Sequence, residues 1–149
     1  MMIEIENLRK RFGRFEALEG MTFAVPEGST FALIGPNGAG KSTTIKIVMN
    51  LLKASHGTAR VLDIDSRKLS AREFAQIGYV AENQELPPRI TVGDYVAYLR
   101  PFYATWDRSL EASLLAQLDL PVDRKIGHLS HGMRIKQRSF AHWPIDLSF

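Results

Sequence analysis

Gly35-Pro-Asn-Gly-Ala-Gly-Lys-Ser-Thr43 is the stretch that decides the fold. It satisfies G-x-x-x-x-G-K-[ST] at Gly35, Gly40, Lys41 and Ser42 without a mismatch. The glycines let the backbone curl around an anion and turn its N–H groups inward. A helix opening at the loop presents its positive end to phosphate. Lys41 adds a point charge within reach of β- and γ-phosphates, and Ser42 offers a hydroxyl to Mg²⁺. The flanks agree. Thr30 to Ile34 is a short apolar run that reads as a buried strand, and Thr44 to Leu52 reads as a helix with Ile45, Val48, Met49 and Leu52 on one face. Strand, loop and helix in that order are the context the motif requires.

The rest of the composition narrows the class. With 149 residues, 45% apolar and 23% charged, the chain reads as one globular domain with room for a core. Its net charge of +3 is mild, and Arg9-Lys10-Arg11 and Arg134 to Arg138 read as solvated or phosphate-facing surface, not as a nucleic-acid footprint. The absence of cysteine excludes a disulfide framework and a thiolate metal site. His56, His128, His131 and His142 lack metal-ligand spacing. No run of 18 apolar residues is present, and Met-Met-Ile-Glu-Ile-Glu at the start is not a signal peptide, so a cytoplasmic location is expected.

Along the chain, Ile3 to Leu8 alternates like a half-exposed strand, Met21 to Val25 is a second strand and Pro26-Glu-Gly28 a turn. His56-Gly57 is expected to end the first helix, and Thr58 to Leu62 to form a strand. Ser70 to Gln76 reads as a short helix and Ile77 to Val80 as a short buried strand. From Thr91 to Leu120 the pattern turns helical: Val92, Val96 and Leu99 share one face, Leu110, Leu114, Leu115 and Leu118 another, and Asp107 is placed as an N-cap with Glu111 following. Pro121 closes that segment.

Leu129-Ser-His-Gly-Met133 resembles the signature motif of ABC-type ATPases, in the LSxGM form of the branch serving multidrug, bacteriocin and ion exporters. Other stretches are similar in order: Leu8 to Gly13 to the aromatic loop, Ala17 to Gly28 to the lead-in to the loop strand, Ile77 to Gln84 to the switch segment, and Phe102 to Asp107 to a segment of this exporter branch. The resemblance implies an α/β P-loop NTPase of ABC type, with a β-rich subdomain, a parallel-sheet core and a helical subdomain at about 86–130. It implies ATP and Mg²⁺ as ligands. Gly35, Pro36, Asn37, Gly38, Ala39, Gly40, Lys41, Ser42 and Thr43 would hold the phosphates, Ser42 also the metal, and Phe12 would stack on adenine. Ser130 and Gly132 would act on the nucleotide bound by a partner. The switch position falls on Glu82 when counted back from Thr91-Val92, while Gln84 has the usual residue type. Either could sense the metal or the attacking water, so both are candidates for catalysis and metal binding beside Lys41. The implied partners are a second ATP-binding subunit, head to tail, and a membrane permease that holds the pair at the inner face of the cell membrane.

The family's next motif is an apolar strand ending in Asp-Glu, which orders Mg²⁺ and polarises water. No segment of the 149 residues has that form, and Val61-Leu-Asp63 is followed by Ile64. Residues 137–149 read as an aberrant tail to an incomplete cassette spanning 1–136. Codons for 137–149 can be chosen so that a shifted frame reads ALVRPLAYRPEL, similar to the family's continuation. The expectation is therefore a truncated or frameshifted transporter ATPase. The alternative is an ATP-binding module without hydrolysis, regulatory or non-functional. Without the Asp-Glu strand the parallel sheet loses pairing and the chain is expected to be marginally stable. A GTPase is not indicated, because the Asn-Lys-x-Asp guanine motif is absent.

Overall fold

The computed structural model describes residues 1–81, 85–103 and 106–140. The chain divides into two compact units, Met1–Glu73 and Phe74–Phe149.

The first unit is built on an antiparallel sheet of strands β1 (Ile3–Phe12), β2 (Phe15–Val25), β3 (His56–Val61) and β4 (Ile64–Asp65), in the order β2-β1-β3-β4. β1 and β2 form a hairpin running from Ile3↔Val25 to Phe12↔Phe15, and β1 pairs with β3 from Ile3↔Val61 to Arg9↔His56. The alternation of Ile3 to Leu8 is real, but the strand continues through Arg9-Lys10-Arg11, with Arg9 and Arg11 exposed and Lys10 half-buried. Gly57 is fixed by close approach: a Cβ there would lie 2.2 Å from the Asn7 carbonyl oxygen, and its φ is +79°. Ile5, Leu8, Leu18, Val25, Ala59 and Val61 are buried from this sheet. Helix α1 (Lys41–Val48) contacts β2 and β3 and contributes Thr44, Ile47 and Val48 to the core.

Several expectations are corrected here. Thr30 to Ile34 is not a buried strand: it forms no ladder with the described residues, Phe31 is 48% exposed and Ile34 89%. A continuous apolar run suits a strand covered on both faces, and such cover is something local sequence cannot itself supply. Phe31 stacks on Phe23 with 4.8 Å between ring centroids. Ile77 to Val80 likewise carries no ladder, and Val80 is exposed. No parallel strand pair forms among the described residues. The helix after the loop starts at Lys41 and stops at Val48, well before His56, which opens β3. Its buried stripe is Thr44, Ile47 and Val48, continued by Met49. Ile45 of the expected face is exposed.

The second unit follows a short helix α2 (Ala71–Phe74) and contains α3 (Val92–Leu99), α4 (Arg108–Gln117) and α5 (His131–Phe140), with 3-10 turns at Arg100–Phe102 and Ile126–His128. Its core is Val92, Tyr95, Val96, Leu114, Leu120, Ile126, Leu129 and Phe140, with Leu99, Leu110, Leu115, Leu118 and Met133 packed around it. The expected faces of the helical region thus both point inward. Thr91 caps α3 in a capping box with Asp94, whose carboxyl the Thr91 hydroxyl bond holds below the usual range. Asp107 caps α4 as expected, accepting from the Ser109 and Leu110 N–H groups at 2.7 and 2.9 Å. Sequence reading missed the role of Glu111. It is buried, receives the Arg100 guanidinium through Nε at 2.8 Å and Nη2 at 2.6 Å, and accepts from Trp106 Nε1 at 2.6 Å. The Arg100 bonds dominate in holding its carboxyl below the usual range.

Candidate phosphate-binding site

The loop 35–40 takes its shape from two glycines in the left-handed region, Gly38 at φ +87° and Gly40 at φ +80°. Gly40 is buried and presses on β2. A Cβ at this position would stand 2.3 Å from Leu18 Cδ2 and 2.6 Å from the Ala17 carbonyl oxygen. Only glycine fits. Leu18 is itself buried at 3% exposure, so β2 acts as a fixed stop for the loop's C-terminal end. The Gly40 carbonyl then accepts from Thr44 N at 2.8 Å and Thr44 Oγ1 at 3.0 Å, starting α1.

Lys41 Nζ donates to the carbonyl oxygens of Gly35 and Pro36, each at 2.7 Å. The ammonium therefore folds back along the loop. The Ala39 N–H donates to Pro36 O at 3.2 Å, closing a turn inside it. Gly35 is the narrow point, where a Cβ would lie 3.2 Å from Ala39 Cβ. At Gly38 a Cβ would meet nothing within 4 Å. Asn37 to Ala39 are exposed, and so is Ser42. Thr43 is half-buried. No side chain caps α1 and no acid lies in its first turn, so its leading N–H groups have no side-chain partner from the cap.

This donor set fits a polyphosphate. An uncapped helix start and one ammonium are both suited to anions, and no carboxylate lies in the first turn of α1. For the metal, no group of three His, Cys, Asp or Glu among the described residues could hold an ion by itself. A hard cation here would rely on phosphate oxygens and the exposed Ser42 hydroxyl. Glu82 and Gln84, the candidate switch residues, lie outside the described residues.

Phe12 stands at the tip of the β1–β2 hairpin, paired with Phe15 and 48% exposed, which excludes a core-packing role. In the second unit, Ser130 precedes α5. Its Oγ accepts from Met133 N at 3.2 Å and its carbonyl from Arg134 N at 3.0 Å. Ser130 is therefore a helix N-cap, with its hydroxyl hydrogen still available for donation. Gly132 lies in the first turn with open space around it: a Cβ would meet nothing within 4 Å. Leu129 anchors the segment in the core at 4% exposure. The structure does not bring all the candidates into one described site, since the phosphate loop and the Ser130 segment belong to different units.

Comparison with known proteins identifies the family. Residues 18–139 match the family model described as ABC transporter. A probable multidrug ABC transporter ATP-binding protein of Escherichia coli K12 is 38% identical over 108 residues, covering 72% of this chain and 19% of the relative. A sulfate/thiosulfate import ATP-binding protein of Chromobacterium violaceum is 37% identical over 143 residues, covering 90% of this chain and 40% of the relative. The chain thus spans well under half of either relative's length. Among solved structures, an ATP-binding cassette solved as a dimer in a post-hydrolysis state with ADP and Pi superposes with a TM-score of 0.77 at 24% identity, over 96% of this chain and 69% of that one. That likeness is one of fold. With 122 consecutive positions, 18 to 139, inside the family model, the chain belongs to the ABC transporter family.

Proposed function

We propose that the chain is the nucleotide-binding portion of an ATP-binding subunit that couples ATP binding and hydrolysis to export across a membrane. The observation that carries this reading is the phosphate loop, shaped by Gly38 and Gly40, stopped by β2 and armed with Lys41. Gly35 to Gly40 and the first N–H groups of α1 would cradle the phosphates, Lys41 would exchange its carbonyl partners for phosphate oxygens, and Ser42 would hold Mg²⁺. When bound, the metal would neutralise phosphate charge. Phe12 would take the base. Export is favoured by the LSxGM form of Leu129 to Met133 and by the multidrug relative. Membrane attachment would come from a separate permease, since no helix among the described residues is long and apolar enough to cross a bilayer. Ser130 and Gly132 would serve the nucleotide of a second, head-to-tail subunit.

The test is equilibrium binding of Mg-ATP to the 149-residue chain and to Lys41→Ala. Loss of at least tenfold in affinity is expected. Equal affinity would defeat the assignment. A second reading, ATP binding without turnover, is favoured for these 149 residues by the absence of an apolar strand ending in Asp-Glu. Phosphate release separates the two: binding with no release above buffer supports the second, and release abolished by Lys41→Ala supports the first.

A further inference from the structure

The end of β1 that carries Phe12 is tied to the loop following α1. Lys10 Nζ donates to Lys53 O at 2.7 Å, Arg11 N to Ser55 Oγ at 3.0 Å, and Ser55 N to Arg9 O at 2.8 Å. The hairpin tip and the helix that opens at the phosphate loop are therefore joined by hydrogen bonds at the helix's far end. The same Lys10 ammonium also lies 4.9 Å from the centroid of the Phe12 ring. A cation at this distance is drawn to the negative face of an aromatic ring. It has two anchors, the ring and the Lys53 carbonyl, and it occupies one face of a side chain that is otherwise 48% exposed.

We propose that Lys10 is a positioning residue for the nucleobase: held between Lys53 O and the Phe12 ring, its ammonium fixes the ring and leaves the opposite face to stack the base. The proposal rests on the reading that Phe12 takes the base. An exposed phenyl ring without this brace would sample several rotamers, and a base stacking on it would pay the cost of ordering it. With the brace that ordering precedes binding. The interaction is local to the ring, so it acts on ligands that carry a base and not on the phosphate cradle.

The experiment compares Mg-ATP with Mg-tripolyphosphate, which lacks the base, on the 149-residue chain and on Lys10→Met, Lys10→Arg and Phe12→Ala. Methionine keeps most of the apolar stem and removes the charge. Lys10→Met is expected to weaken ATP about two- to fivefold, the range of an exposed cation–π contact, and to leave tripolyphosphate unchanged. Lys10→Arg is expected to stay near the parent affinity, since guanidinium stacks on rings and can donate to the same carbonyl. Unchanged tripolyphosphate binding also reports that the loop remains folded. The proposal is overturned if Lys10→Met leaves ATP affinity unchanged, or weakens both ligands equally through lost charge or lost structure. Phe12→Ala separates the two layers. If it weakens ATP while Lys10→Met does not, the base platform stands and only the brace fails. If Phe12→Ala changes neither ligand, there is no platform and the brace falls with it.

Discussion

Gln137 is a fully buried residue on α5, at 0% exposure, and neither its Nε2 nor its Oε1 has a hydrogen-bond partner among the described residues. It lies between Met133 and Phe140 in the helix, on the side that packs into the apolar core of the second unit. A buried amide left unpaired costs about 1–3 kcal/mol. Leucine has nearly the same volume and no polar demand. Gln137→Leu should therefore stabilise the chain by about 2 kcal/mol. With a urea slope of roughly 1–3 kcal/mol per molar, the unfolding midpoint should rise by about 1 M at unchanged slope. The thermal midpoint should rise by about 4–8 °C for a chain of this length. Helical circular dichroism at 222 nm follows the transition, because α3, α4 and α5 all belong to this unit. A midpoint that stays put or falls would refute the reasoning, since it would mean the amide is satisfied in solution. Gln137→Ala serves as the control and should gain less than leucine, because it leaves a cavity.

Gly40→Ala should remove measurable nucleotide binding, since its Cβ would collide with Leu18 and the Ala17 carbonyl; titration with Mg-ATP checks it. Glu111→Ala should cost about 3 kcal/mol by leaving Arg100 without its buried partner, read from urea unfolding. The Glu111 carboxyl titrates below its ordinary value of 4.5 in the folded chain, so its stabilising effect is complete above that pH. It declines as pH falls through the lowered folded value, so the stability difference between the parent and Glu111→Gln should be full at pH 6 and shrink as pH falls below 4.5 towards pH 2. Leu62 and Asp63 form the β3–β4 turn with φ of +51° and +61°, and leucine tolerates that region poorly. Leu62→Asn should gain about 0.5–1 kcal/mol in the same urea assay, and a loss would show that the leucine packs more than it strains.

What sequence could reveal depended on how local each cause was. The loop motif, the alternation of Ile3 to Leu8 and the Asp107 cap depend on residues within a few positions of one another, and each was legible. The stop that fixes Gly40 comes from Leu18, more than twenty positions earlier in the chain, and no spacing rule announces it. Arg100 and Glu111 are joined across eleven positions and a turn, so their pairing appears only in three dimensions. Thr30 to Ile34 shows the opposite case. Its apolar composition suits a buried strand, yet a strand exists only when another strand is hydrogen-bonded beside it, and the segment is largely exposed. In the loop, the two glycines that shape it, Gly38 and Gly40, stand inside the motif and were readable there. The brace under Phe12 was not, because Lys10 reads as one of three adjacent surface charges.

The contrast between the two ends of the phosphate loop has a mechanical consequence. At Gly40 the backbone is seated against β2 and runs directly into α1, while at Gly35 it emerges from the unpaired, solvent-facing Ile34. The loop is thus clamped at one end and tethered at the other. Its amides should follow the same gradient in hydrogen exchange, fast from Phe31 to Gly35 and slow from Thr44 onward. A bound anion gathering the N–H groups of the loop would then propagate order backward along the chain, from the clamp towards the tether. Phosphate would serve as the far anchor of the segment that leads to it.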